Sequence, residues 1–306
     1  MKAFIYTSLD KLSKQHLSEE FKSELEIEFG DERVPNEVGE VQIIMGNPPS
    51  AWVEQHKTGL QFWQLDSAGF DQYRNLPVSA LVANMGDHFA IACAETIVAG
   101  ILGFYRGIPL IVKLQEKKKW LGKELRPLLG ITSGKRVMIL GYGAIGKHIK
   151  QMMEGMGCLV QTVAKQNTDA DIRGRDEAIK LLTDTDIIVN TLPGSATNFV
   201  SREFLLAMKS GSLYANVGRA GTTDEGALIE LLTEGKIAGA ILDVSSVEPI
   251  PEDSELWHLD NLLLTQHSGG GFIGEQEGKL NLFIRNVRNF LSGHPIENQV
   301  ELSRGY

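Results

Sequence analysis

The stretch that most constrains the fold is Val137-Met-Ile-Leu-Gly141-Tyr-Gly143-Ala144-Ile145-Gly146. Four apolar residues, the length of a short buried strand, run into G-x-G-x-x-G, and Ile145, Ile149, Met152, Met153 and Met156 then recur at helical spacing. The order is strand, tight turn, helix. Gly141 lets the backbone turn sharply, Gly143 removes a side chain where a pyrophosphate approaches, and Gly146 lets the helix pack closely on the strand. The N–H groups and positive dipole end of that helix then face the phosphates. The motif alone is a weak signal in a chain with 32 glycines; the strand before it and the amphipathic helix after it make it a dinucleotide site.

In such a site the next strand ends in an acid that holds the adenosine ribose. That strand is expected over residues 159–164, and Ala164 stands where the acid belongs, followed by Lys165, Gln166 and Asn167. With no carboxylate to repel a 2'-phosphate, and a lysine and two amides to bond it, the pocket suits NADP(H) over NAD(H), although NAD(H) is possible. A charge-assisted hydrogen bond contributes roughly 1.5–3 kcal/mol, so one or two predict a preference of about ten- to a hundredfold. The competing reading leaves Lys165 in solvent and brings Asp169 or Asp171 back to the ribose.

A chain of 306 residues has room for two domains, and 42% hydrophobic with 23% charged is ordinary for a globular protein. The net charge of -9 argues against nucleic acid or an anionic membrane surface as partner. The one basic run, Lys117 to Lys119, reads as a solvated face. Cys93 and Cys158 have no metal or redox spacing and sit among apolar neighbours, which suits a cytoplasmic protein with buried thiols and no metal site. No signal-peptide pattern opens the chain, and the apolar residues 89–105 carry Glu95 and read as a buried helix.

Along the chain, strands are expected over residues 2–6, 40–45, 60–65 and 81–83, with an acidic helix over 17–29 and a plain loop at 46–50. After the glycine motif the alternation resumes with strands over 186–192, 212–217, 238–243 and 261–265, and Leu280, Phe283, Ile284, Val287 and Leu291 mark a closing helix. Alternation of this kind indicates parallel sheets. Ligands collect at the carboxyl ends of strands in such sheets. Arg219, Glu248 and His267 each lie just beyond such an end.

Taken in order, Leu65-Asp-Ser67-Ala68-Gly69, the glycine motif, Asn216-Val217-Gly218-Arg219, Leu242-Asp243-Val-Ser-Ser-Val-Glu248-Pro249 and Leu264-Thr-Gln-His267 resemble the successive signatures of the D-isomer-specific 2-hydroxyacid dehydrogenases, over nearly the whole chain. The resemblance implies an α/β fold of two Rossmann-like domains with parallel sheets flanking a cleft. The first, substrate-binding, is discontinuous, residues 1–89 with 273–306; the second, dinucleotide-binding, is residues 90–272.

It further implies that Arg219 grips the carboxylate and carbonyl of a 2-oxo acid, that His267 is the acid/base and that Glu248 is its partner. The chemistry needs these types. Hydride arriving at a ketone carbon builds charge on oxygen, so a donor must supply a proton near neutral pH, as imidazolium does. A carboxylate on the other ring nitrogen holds the ring and favours its charged form, and a planar guanidinium matches a 2-oxo acid bidentately. Residues 67–69 resemble the loop whose amides hold the substrate carboxylate. Asp243 resembles the residue that bonds the nicotinamide amide. Further cofactor contacts are implied at Ala144, Ile145, Leu192, Pro193, Val217, Gly218 and Gly269.

Departures refine the expectation. Ala220 follows the arginine where the family usually has glycine, residues 46–52 offer no cation for a phosphorylated substrate, and Trp52 is a candidate pocket wall or core residue. The expected activity is reduction of glyoxylate, hydroxypyruvate or a similar small acid to the D-2-hydroxy acid by a homodimer. Rival readings are an NAD-dependent dehydrogenase of larger D-2-hydroxy acids or of 3-phosphoglycerate, and a nicotinamide-sensing binding protein without turnover.

Overall fold

A computed structural model describes residues 1–35, 39–165 and 167–304. The chain divides into two compact units, Met1–Phe89 with Phe272–Tyr306, and Ala90–Gly271. The first opens with β1 (Lys2–Ile5), α1 (Lys11–Glu20), β2 (Glu26–Phe29), β3 (Ile43–Met45), α2 (Ser50–His56), β4 (Phe62–Gln64) and β5 (Leu81–Ala83). The second contains α3 (Ala90–Tyr105), α4 (Ile108–Glu116), β6 (Arg136–Leu140), α5 (Ala144–Gly155), β7 (Leu159–Val163), α6 (Arg175–Leu181) and β8 (Ile187–Asn190). It continues through α7 (Arg202–Ala207), β9 (Leu213–Asn216), α8 (Glu225–Thr233), β10 (Gly239–Leu242) and β11 (Leu262–Leu264). The chain then returns to the first unit with α9 (Glu275–Leu291) and β12 (Gln299–Val300).

The first unit's sheet has the order β12-β5-β4-β3-β1-β2, parallel except that β12 runs antiparallel to β5. Alternation along a strand sends successive side chains to opposite faces. Ala3 and Ile5 accordingly pack with Leu17, Phe21, Leu280, Phe283 and Val287 on one face, while Phe4 packs with Trp52, Val53 and Trp63 on the other. Trp52 is therefore a core residue, stacked on His56 at 4.2 Å.

The helix expected over residues 17–29 is corrected by the structure. The helix lies earlier, started by Asp10, whose Oδ1 accepts the Ser13 N–H at 2.7 Å. Residues 26–29 instead form β2, paired in parallel with β1. Leu25, Ile27 and Phe29 alternate with glutamates, a period of two rather than 3.6, and pairing to a buried strand decides in favour of that period. At the other end of the unit, Asn286 of α9 is fully buried. Its amide donates to Gln64 Oε1 at 2.8 Å and its Oδ1 accepts the Glu297 N–H at 2.8 Å, so α9 is tied to β4 by satisfied polar bonds as well as by packing.

The second unit's sheet is parallel throughout, in the order β11-β10-β9-β8-β6-β7. Strand β6 has β7 on one side and β8 on the other, so the strand order reverses at its carboxyl end, the position where open α/β sheets bind ligands. Helix α3 buries Ala94, Ile97 and Ile101, and a Cβ at Gly100 would lie 2.9 Å from Ile241, so this glycine lets the helix approach β10. Both cysteines are free and buried. Among the described residues no single helix is long and apolar enough to cross a membrane, and no cluster of ligating side chains could hold a metal.

Candidate active site

Because the second unit's strands are parallel, the turns after β6, β8, β9, β10 and β11 share one edge of the sheet. The turn after β6 is built by glycine. Gly141 has φ +100°, and a Cβ there would lie 2.5 Å from Thr191 Oγ1; a Cβ at Gly146 would lie 2.4 Å from the Gly141 carbonyl oxygen. At Gly143 an added Cβ would meet nothing within 4 Å, and α5 begins there without a side-chain cap. The first amides of α5, at Ala144 and Ile145, are thus left without a side-chain cap, an arrangement that fits a pyrophosphate.

Two asparagines that sequence reasoning passed over shape the neighbouring turns. Asn190, at the end of β8, accepts the Leu192 N–H at 3.0 Å, and Asn216, at the end of β9, accepts the Gly218 N–H at 2.9 Å. Asn190 is fully buried, and its amide donates to Tyr214 Oη and Thr222 Oγ1, while Thr222 Oγ1 donates to the Arg219 carbonyl at 2.6 Å. The Leu192-Pro193 and Val217-Gly218 turns are so close that a Cβ at Gly218 would lie 2.5 Å from the Leu192 carbonyl oxygen. Thr191 adds a bond from Oγ1 to the Leu140 carbonyl at 3.0 Å. The readable signal is a strand-ending asparagine two residues before a tight turn, and Asn84 repeats it after β5 by accepting the Gly86 N–H at 2.9 Å.

Beyond β9, Arg219 is partly buried and its Nη1 donates to the Gly218 carbonyl at 3.2 Å. Beyond β11, Gln266 and His267 both have positive φ, +56° and +52°, a backbone state that costs a non-glycine residue about 1–3 kcal/mol. Asp243 holds them there. Its carbonyl accepts the His267 N–H at 2.6 Å, and its Oδ1 accepts Thr265 Oγ1–H, the Ser268 N–H and the Gly269 N–H at 2.6, 3.1 and 3.0 Å. A Cβ at Gly269 would lie 2.8 Å from Asp243 Oδ2, which requires glycine at that approach.

The imidazole so placed meets Glu248. His267 Nδ1 and Glu248 Oε2 are 2.6 Å apart, and Glu248 Oε1 accepts the Ser245 N–H at 2.8 Å. An ionised carboxylate only accepts, so Nδ1 carries the proton and Nε2 is left to exchange one with a substrate. The ring is 55% exposed, open enough for that exchange. Burial pushes the Glu248 carboxyl up, but the hydrogen bonds from His267 and Ser245 and the positive charges of His267 and Arg219 outweigh it and hold it below its ordinary value. Nearby, burial pushes the Cys93 thiol up to about 11, with the Asp243 charge adding and the Arg219 charge opposing. Arg219, Asp243, Glu248 and His267 are thus brought together.

At the end of β7, Lys165 is exposed and makes no ion pair among the described residues. Gln166 lies outside the described residues. Asn167 donates to the Tyr142 carbonyl at 3.0 Å, packing the segment against the glycine turn. Asp171 is committed elsewhere: its Oδ2 accepts the Thr162 N–H and Oγ1–H, both at 2.8 Å, beside Lys150. The remaining candidates, Ser67, Ala68 and Gly69, follow β4 in the first unit. Ser67 Oγ donates to the Gly69 carbonyl at 2.7 Å and accepts from Asn47 Nδ2 at 2.8 Å, and Asn84 Nδ2 donates to the Ala68 carbonyl at 2.6 Å. Their carbonyls are thus tied back into the unit.

Comparison with known proteins agrees with this architecture. The model of the D-isomer specific 2-hydroxyacid dehydrogenase, NAD binding domain, matches residues 98–269. The chain belongs to the D-isomer-specific 2-hydroxyacid dehydrogenases, a family of oxidoreductases that use a nicotinamide cofactor. A hydroxyphenylpyruvate reductase of Plectranthus scutellarioides is 30% identical over 70% of this chain and 69% of its own. A glyoxylate/hydroxypyruvate reductase of Arabidopsis thaliana is 27% identical over 81% of this chain and 78% of its own. Among solved structures, a D-isomer specific 2-hydroxyacid dehydrogenase of Xanthobacter autotrophicus Py2 in complex with NADPH and MES superposes with a TM-score of 0.81 at 26% identity, covering 100% of this chain and 99% of that one.

Proposed function

We propose that this enzyme reduces a small 2-oxo acid of the glyoxylate or hydroxypyruvate kind to the D-2-hydroxy acid, with NADPH preferred. The observation that carries the reading is the 2.6 Å contact of Glu248 with His267 Nδ1, which leaves Nε2 as a proton donor on the sheet edge that also carries Arg219. The nicotinamide supplies the hydride when bound. His267 gives its Nε2 proton to the carbonyl oxygen as charge builds there, and Glu248 keeps the ring oriented through Nδ1. Arg219 pairs with the carboxylate and the carbonyl oxygen.

Asp243 and the amides of Ala144 and Ile145 hold the cofactor in this reading, with Leu192, Pro193, Val217, Gly218 and Gly269 lining its bed. The NADPH preference is supported by the exposed cation of Lys165 and by Asp171 being spent on Thr162. A small, unphosphorylated substrate is supported by residues 46–52, which contain no cation, and by the glyoxylate/hydroxypyruvate reductase among the relatives. Buried free thiols suit the reducing cytoplasm, and exposed Ile108, Leu110 and Val112 on α4 suit a homodimer, which light scattering tests.

Steady-state rates with glyoxylate, hydroxypyruvate, hydroxyphenylpyruvate and 3-phosphohydroxypyruvate, each with NADPH and NADH, decide the matter. The highest kcat/KM is expected with a small acid and NADPH. Faster turnover of hydroxyphenylpyruvate would overturn the small-substrate reading, and nicotinamide binding without turnover of any acid would favour a sensing role.

A further inference from the structure

The segment carrying Glu248 has an unusual attachment. Among the described residues, 244–250 make no backbone-to-backbone hydrogen bond at all. Val244 is buried and Ile250 packs on the second unit's core, so the ends are held, but Ser246 and Val247 between them are exposed. A loop without a ladder has its geometry set by side-chain anchors. Here the anchor is Glu225, in the first turn of α8. Its Oε2 accepts the Ser245 hydroxyl at 3.1 Å and the Ser246 N–H at 2.9 Å, and its Oε1 accepts the Ser246 hydroxyl. The N–H of the same Ser245 donates to Glu248 Oε1, and Glu248 Oε2 meets His267.

We propose that Glu225 is a positioning residue for the Glu248–His267 pair, acting through Ser245 and Ser246. The inference rests on the acid/base reading of His267 given above. Bonds to an ionised acceptor are among the stronger hydrogen bonds, and three of them on two adjacent residues fix both the position and the rotation of that stretch of backbone. Ser245 is gripped from two sides, by Glu225 at its hydroxyl and by Glu248 at its N–H. Without Glu225 the Ser245 N–H is free to swing, and the carboxylate it orients loses its fixed approach to the ring.

The test uses the full chain and the variants Glu225→Ala, Glu225→Gln, Glu248→Gln and the double variant Glu225→Ala with Glu248→Gln. Misplacement of a supporting group costs on the order of ten- to a hundredfold in rate, and that loss in kcat is expected for Glu225→Ala, with NADPH affinity unchanged. Glu225→Gln keeps an acceptor for the Ser246 N–H and should recover most of the rate. In the Glu248→Gln background, Glu225→Ala should cost little more, because a residue that acts through another shows no independent effect.

Nitrogen NMR of histidine-labelled protein, with His267 assigned through His267→Asn, reads the pair without turnover. The His267 signal of Glu225→Ala should move toward that of Glu248→Gln. Additive rate losses, an unmoved His267 signal, or a loss of NADPH affinity and thermal midpoint that Gln does not restore would each overturn the proposal. If the parent chain turns over no oxo acid, the function proposed above fails, while the NMR comparison still decides the role of Glu225.

Discussion

At the scale of the residue, the Glu248 carboxyl is the group whose charge the site depends on. It is held below its ordinary value because hydrogen bonds and positive neighbours outweigh burial. A depressed folded value means that ionised Glu248 stabilises the fold above the ordinary glutamate range, and that this contribution disappears as pH falls through the depressed value. Glu248→Gln should therefore lower the thermal midpoint at neutral pH, and the gap to the parent should close as pH drops below about 4. A gap that stays constant into acid would place the stabilisation elsewhere. At Lys165, Lys165→Asp should weaken NADPH about tenfold or more while sparing NADH, as measured by the two dissociation constants; equal losses would remove the cofactor argument. The residue scale was only partly legible. Arg219, Glu248 and His267 stand out because charged or titratable residues just past apolar strands have few structural reasons to be there. Asn190, Asn216 and Glu225 do not, since a strand-ending asparagine reads as a turn former and a glutamate in a first helical turn reads as a partner for the dipole.

At the scale of the element, the turn between β6 and α5 separates glycines needed by the fold from one, Gly143, where the fold has room for a side chain. Gly141→Ala must place a side chain at φ +100° against Thr191, and Gly146→Ala must displace the Gly141 carbonyl. Gly141→Ala should cost about 1–3 kcal/mol in urea unfolding from backbone strain alone, with Gly146→Ala also destabilising. Gly143 has φ -84° and open space where a Cβ would stand. Gly143→Ala should leave unfolding nearly unchanged and weaken nicotinamide binding; unfolding losses matching those of Gly141→Ala would refute the distinction. Elements of this kind were the most legible part of the chain, because buried parallel strands such as Ile187–Asn190 and Leu213–Asn216 are continuous apolar runs. Residues 17–29 were misread for the converse reason. Glutamates crowd the segment and suggest a helix surface, whereas β2 is an edge strand whose exposed positions accept charge.

At the scale of the whole molecule, the first unit is assembled from two stretches of chain, and periodicity in either stretch alone cannot show that. Helix α9 supplies Leu280, Phe283, Ile284 and Val287 to the core under β1, β3 and β4, and β12 completes the sheet beside β5. Each buried side chain of that size contributes about 1.5–3 kcal/mol, so four together rival the roughly 5–15 kcal/mol that holds a typical domain folded. Deleting residues 272–306 also strips Asn286 from Gln64, leaving a buried amide oxygen without its donor. The second unit keeps its own core of Leu140, Ile188, Phe204, Tyr214 and Leu231. A chain ending at Gly271 should therefore show fast amide exchange throughout residues 1–89 while β6, β8 and β9 stay protected. Protection of β1 and β3 in that shortened chain would mean that the N-terminal stretch holds its sheet without α9.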